Sequence, residues 1–219
     1  MSRGPAVGTP VLAAPPTTSG RPMAGKPSRK QQLLEVLARE LEHRAGERVT
    51  TAALAAAAGV SEAALYRHFP NKARMFEALI EFAEETVFGR VNQILDAEKD
   101  TRIRCESVLY LLLAFAERNP GIARILVGDV LLGESKRLRA RVDKFFDRLQ
   151  TQLRQVLRES RLRGDAVAAA PPEAAADFVM SLAVGRLHQF TRSGFARSPL
   201  TGWESIRLFM ANGLFPPPA

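Results

Sequence analysis

Hydroxyl, imidazole, guanidinium and ammonium groups crowd the segment Thr50 to Lys72, TTAALAAAAGVSEAALYRHFPNK, among alanines. Thr50, Thr51, Ser61, Tyr66, His68 and Lys72 can each donate a hydrogen bond to a phosphate oxygen, and Arg67 can reach a phosphate or a base edge. Ala63 and Ala64 stand where a recognition helix would begin. Their small side chains let the backbone sink into a major groove, where their methyls can meet thymine methyls. Few of these side chains can grip a base bidentately, so sequence preference rests partly on DNA shape and on dimer spacing. Composition alone leaves open a plain helical hairpin at the surface.

A second group points to a protein partner. Phe82 lies about 100° around its helix from the inward-facing Ala83, and Arg90 follows two turns later on the same side, within reach of a carboxylate-bearing peptide. Gly89 beside it costs about 1 kcal/mol relative to alanine in a helix interior and invites a reason, such as another backbone passing close. A semi-exposed aromatic at a domain edge would look the same. Elsewhere, chemistry is sparse. Three histidines at 43, 68 and 188 have no metal-ligand spacing, and His188 reads as a packed side chain. The single Cys105 sits in apolar sequence and reads as packing, or as a redox handle if exposed. No Gly-rich phosphate loop, nucleophile elbow or acid–base pair is present, so the expectation is no enzyme activity, no metal and no cofactor.

The elements that position these groups are all helical. Apolar residues recur at helical spacing from Arg29 onward, Pro and Gly fall at junctions, and no stretch alternates as a half-buried strand would. The spacing predicts helices at about 28–44, 50–58, 62–68, 72–99, 101–117, 120–133, 134–163, 173–193 and 201–212. Thr50 or Thr51, Ser61, Asn71 and Asn119 are the expected N-caps, with Pro120 at the first position of its helix. Gly59 supplies a left-handed turn and Val60 a plug between two crossing helices, which is helix-turn-helix chemistry. The helix from Thr101 is apolar nearly all round and belongs in the centre. Lys136, Arg137, Arg139, Arg141 and Lys144 read as a solvated face, with neighbouring DNA as the lesser alternative. On the last two helices, Phe178, Leu182, Gly185, Phe190 and Trp203 suit a two-fold four-helix dimer interface, with packing inside one chain as the alternative.

Composition sets the outer limits. The 219 residues are 46% hydrophobic and 25% charged, enough for one sizeable core, and the net charge of +8 favours a polyanionic partner. The longest apolar run, Val108 to Ala116, is well short of the roughly 20 residues that span a bilayer. Residues 1–28, rich in Pro, Gly, Ala, Ser and Thr with Arg3, Arg21 and Lys26, read as a disordered basic tail. A DNA-binding unit at 29–71 and a helical body at 72–215 follow. No export segment and a lone cysteine fit a cytoplasmic protein without a membrane partner.

The stretch GVSEAALYRHFPNKARMF resembles the helix-turn-helix signature of the TetR family, in which three N-terminal helices bind DNA and a larger helical domain dimerises. The segments VSEAALYRHFPNKARMFEALIEF, EKD at 98–100, ERNPG at 117–121, ILVGD at 125–129 and QLRQVLRESRLR at 152–163 are similar to the nucleoid occlusion branch of that family. This likeness runs from about Pro27 to Arg163. It implies a nucleoid-associated homodimer that binds palindromic chromosomal sites, two dimers together, and that antagonises polymers of the division protein FtsZ. It also implies a groove between the fourth and fifth helices for the C-terminal tail of FtsZ, at Phe82, Arg90, Leu111, Arg118 and Asn119. Ala114 stands where the branch has glycine, which narrows that groove. The rival reading is a TetR-type repressor released from its operator by a small apolar ligand.

Overall fold

A computed structural model describes residues 28–43, 49–131, 133, 135–163 and 168–216. The expected tail falls almost wholly outside them. The described residues form α1 (Arg29–His43), α2 (Thr51–Ala57), α3 (Glu62–His68), α4 (Lys72–Ala97), α5 (Thr101–Arg118), α6 (Pro120–Val127), α7 (Lys136–Arg163), α8 (Pro172–Arg192) and α9 (Trp203–Phe209). The protein is all-α, and no described helix is long and apolar enough to cross a membrane.

Helix starts follow local chemistry. The side chains of Thr50, Ser61, Asn71 and Asp100 accept from the amides of Ala53, Ala64, Arg74 and Ile103 at 2.8–3.2 Å, each satisfying a donor that the first helical turn leaves unpaired. Gly59, at φ +63, makes the left-handed turn between α2 and α3. Asn119 departs from expectation. Its amide turns back to donate to the Phe115 carbonyl at 2.8 Å, so it closes α5 instead of capping α6. The helix that begins at Pro120 also ends early, at Val127. Gly128, at φ +88, terminates it, and a 3₁₀ turn at Asp129–Leu131 follows. The last helix begins at Trp203, after Gly202 at φ +71, and unwinds into a π turn at Met210–Leu214.

One continuous core runs from Leu33 in α1 to Phe215. α5 lies at its centre with Leu109, Leu112, Leu113 and Ala116 buried, and α8 packs against α5, α6 and α7. Two buried guanidiniums stitch helix ends to this core. Arg104 donates to the carbonyls of Glu98 and Leu95 at 2.6 and 2.7 Å and closes the C-terminus of α4. Arg124, 3% exposed, donates to the Leu41 carbonyl near the end of α1 at 2.7 Å and to Asp129 at 2.9 Å. Gly121 crosses α1 so closely that a Cβ there would stand 2.0 Å from the Ala38 carbonyl oxygen. Burial pushes the Cys105 thiol up to about 12, with Glu106 adding to the shift, so the thiol stays protonated and serves as packing.

Two of the helical glycines, Gly89 and Gly121, separate crowding from propensity. Gly89 has nothing within 4 Å, so the close backbone expected there is not supplied by the described part of its own chain. Gly121→Ala should lower stability by about 2–3 kcal/mol, roughly 5–10 °C in melting midpoint, whereas Gly89→Ala should raise it by up to about 1 kcal/mol. Thermal unfolding of the two variants beside the parent checks both signs.

Candidate nucleic-acid and partner interfaces

α2 and α3 meet through Leu54, Ala55 and Leu65, which are buried and leave the N-terminal half of α3 facing outward. Ser61, Ala63, Arg67 and His68 are exposed there, Ala64 is half-buried and Tyr66 is 42% exposed. Thr50 and Ser61 use a lone pair on their caps, but each hydroxyl proton remains available to a phosphate. A relay that the sequence reading missed joins the two helices. The Tyr66 hydroxyl donates to Thr51 Oγ1 at 3.3 Å, and Thr51 donates to Glu62 at 3.0 Å. Each of these two hydroxyl protons is spent inside the relay, so Tyr66 or Thr51 can donate elsewhere only by turning away from its present acceptor. Lys72 opens α4 with its ammonium 5.3 Å from the centre of the Phe76 ring, which steadies the cation beside the end of α3.

Beside this face, Arg141 ties α7 to α4. It donates to both Glu84 carboxylate oxygens, at 2.6 and 3.1 Å, and to the Glu77 carbonyl at 3.4 Å. The Glu84 hydrogen bond raises the Arg141 pKa, and Arg137 pairs with the Glu77 carboxylate at 3.5 Å. Arg141 is therefore an inter-helix tie, which corrects its reading as a solvated side chain, whereas Lys136, Arg137, Arg139 and Lys144 are exposed as expected.

Between α4 and α5 lies an open groove of about 780 Å³. Arg90, Leu111 and Arg118 line it as expected, and so does Ala114. The other two groove candidates lie behind it. Phe82 is half-buried with its ring 6.3 Å from that of Phe115, and Asn119 is 6% exposed and bonded to the Phe115 carbonyl. Both bear on the buried Phe115, so they position the α5 end of the groove from beneath instead of lining it. Missed by the sequence reading are Arg102, Glu106, Tyr110, Trp203 and Arg207. A signal for three of them was present: Arg102, Glu106, Tyr110, Ala114 and Arg118 stand every fourth residue, one row along α5. The apolar bulk of that helix concealed it.

The dimer candidates divide in a similar way. Phe178 is 53% exposed, Leu182 half-buried and Gly185 exposed, at i, i+4 and i+7 on one face of α8. Phe190 is 3% exposed and packs on Phe195 at 5.1 Å, and Trp203 packs edge-on against Tyr110 at 5.0 Å in the groove. Phe190 is thus taken up inside the chain, which corrects its assignment, while Trp203 is partly exposed and makes its ring contact within the chain. On α9, the neglected Leu208 and Phe209 are 61% and 76% exposed.

A helix-turn-helix head joined to a body whose described residues form six α-helices defines a TetR-type DNA-binding regulator. Residues 33–79 match the family described as bacterial regulatory proteins, tetR family, and residues 99–214 match an SlmA-like, tetracyclin repressor-like C-terminal domain. The nucleoid occlusion factor SlmA of Alteromonas mediterranea is 55% identical over 178 residues, covering 81% of this chain and 91% of that one. SlmA of Colwellia psychrerythraea is 51% identical over 188 residues, covering 85% and 95%. The fold is shared with the MbdR regulator of Azoarcus sp. CIB, with TM-score 0.72, 18% identity and coverage of 85% and 99%. The chain belongs to the SlmA family of nucleoid occlusion factors, a branch of the TetR regulators. The family match extends to residue 214, so α8 and α9 belong to it as well, beyond the limit of the sequence motifs.

A salt series tests the DNA face. Lys72→Ala should weaken duplex binding roughly tenfold and reduce the slope of log affinity against log salt by about one, uniformly across sequences. An unchanged slope would remove Lys72 from the phosphate contacts.

Proposed function

We propose that this protein is a DNA-bound inhibitor of cell division whose groove between α4 and α5 takes the C-terminal tail of FtsZ. In this reading residues 29–71 are the DNA-binding unit, with α3 entering the major groove of a palindromic chromosomal site. Ala63 and Ala64 lie against the bases, while Thr50, Ser61, Arg67, His68 and Lys72 hold the flanking phosphates, and Thr51 and Tyr66 join them when their protons turn from Glu62 and Thr51 to the DNA. Residues 72–215 form the regulatory and dimerisation unit, in which Phe178, Leu182 and Gly185 of α8 meet their two-fold mates. Dimers bind DNA in pairs, and the protein acts in the cytoplasm on the nucleoid.

The observation that carries the reading is the groove itself. Arg90, Arg102, Arg118 and Arg207 surround an apolar floor and face only one lining acid, Glu106. Such a channel suits an extended segment that alternates apolar side chains with carboxylates. Arg90 lies about 27 Å along α4 from Lys72, so one helix serves both DNA and FtsZ without their contacts overlapping.

FtsZ polymers sedimented with GTP should diminish when the protein and a duplex carrying its selected site are both present, and much less with either alone. Arg90→Asp should abolish that loss while leaving duplex affinity within about twofold of the parent. FtsZ polymers indifferent in every tube, with the duplex still tightly bound, would make the protein a repressor and set the FtsZ reading aside.

A further inference from the structure

The residues lining the groove by expectation, Leu111 to Arg118, cover only about 10 Å of α5, room for about three extended residues. The groove is longer. It continues to Arg102, about 24 Å from Arg118 along the helix, a length that matches about seven extended residues. Along this extra length α9 forms one wall, while Arg90 and Ile94 of α4 form the other.

That end has its own chemistry. Tyr110, 44% exposed, meets Trp203 edge to face at 5.0 Å, so apolar aromatic surface faces the groove instead of the core. Glu106 is nearly buried and is bracketed by Arg102 at 2.9 Å and Arg207 at 3.3 Å. One carboxylate fixes two guanidiniums, and several of their N–H groups remain for an incoming acid. Arg207 also meets Glu204 at 2.9 Å, an exposed i,i+3 pair of the kind that an incoming carboxylate displaces at little cost. Trp203 and Arg207 sit one turn apart on the side of α9 that faces α5, whereas the exposed Leu208 and Phe209 point elsewhere. The groove wall and the exposed apolar pair Leu208 and Phe209 are thus separate faces of one short helix.

We propose that Trp203 with Tyr110, and Arg207 with Arg102, form a second anchoring point of the groove, taking one apolar side chain and one carboxylate of the same extended FtsZ tail. The proposal rests on the FtsZ reading above and assigns α9 a share in selecting the partner. Residues on either side of the tail's central contacts then contribute to affinity.

Trp203 is the only tryptophan, which makes the parent protein its own reporter. Full-length dimer on its duplex is titrated with a tryptophan-free peptide of the FtsZ C-terminal tail. Trp203 emission should change saturably with the same midpoint as the anisotropy of a labelled peptide. Arg207→Glu should weaken the peptide roughly tenfold, as for a central interface residue, and Arg207→Lys should restore part of the loss. Trimming the peptide from the end that lies over α9 should remove the difference between parent and Arg207→Glu. Unchanged Trp203 emission at saturation, with Arg207→Glu within twofold of the parent while Arg90→Asp abolishes binding, would show that the tail stops short of α9. Binding that survives Arg90→Asp as well, or no binding by the parent, would overturn the groove reading and this proposal with it.

Discussion

The crossing of α1 and α6 is the contact on which the rest of this molecule depends. α1 packs on α2 of the helix-turn-helix head, and α6 follows directly from Arg118 at the end of the groove. Their approach is set by a missing side chain, Gly121 over the Ala38 carbonyl, and by one buried cation, Arg124 on the Leu41 carbonyl. A glycine at the contact admits no intervening atom, and a buried guanidinium without its carbonyl partner would be costly. The head therefore has little freedom to tilt without moving α6, and α6 cannot move without disturbing the C-terminal end of α5. α4 makes a second connection, reaching from Lys72 beside the DNA face to Arg90 in the groove, and the Arg141–Glu84 pair holds it to α7.

α5 belongs to the core on one side and, in the proposed reading, to a recognition surface on the other. Leu109, Leu112, Leu113 and Ala116 fill the interior, while the row from Arg102 through Glu106 and Tyr110 to Arg118 stays open. Glu106 lies between the two environments. Its carboxylate is nearly buried and its two arginine partners are partly exposed, so a charge that would be expensive alone becomes a post that holds two guanidiniums at the groove. Beneath the other end, Phe82 and Asn119 press on Phe115, so substitutions at either would alter the groove without touching its occupant. The Asn119 Oδ1 is buried without a hydrogen-bond partner, and a small shift of the α5–α6 corner has that acceptor to satisfy.

Much of this was legible in the chain itself. Caps at Thr50, Ser61 and Asn71, the left-handed Gly59 and the Pro120 start are local chemistry, and local chemistry survives folding unchanged. Helical periodicity placed every described α-helix, because each buries one stripe. What escaped the sequence depends on partners distant along the chain. Arg141 reads as a solvent charge until α7 is laid beside Glu84, and Trp203 reads as a dimer aromatic until α9 is laid beside Tyr110. Asn119 and Phe190 carry the same lesson, since each is a plausible surface or interface residue that the core claimed. Gly121 gave no sign of its role, because a glycine that admits a neighbouring backbone is identical in sequence to one that merely ends a helix.

In the proposed reading the DNA face and the groove are one mechanical unit, joined through α1, α6 and α4. Linkage gives that claim a number: if DNA favours the arrangement in which the groove accepts the FtsZ tail, the tail must favour DNA by the same factor. The direct measurement is a closed thermodynamic cycle, with tail-peptide affinity for the dimer free and saturated with duplex, and duplex affinity with and without saturating peptide. Each ligand should tighten the other by the same factor, about fivefold or more. Peptide affinity identical with and without duplex would contradict it, and would leave DNA acting only by gathering several copies of the protein at one place.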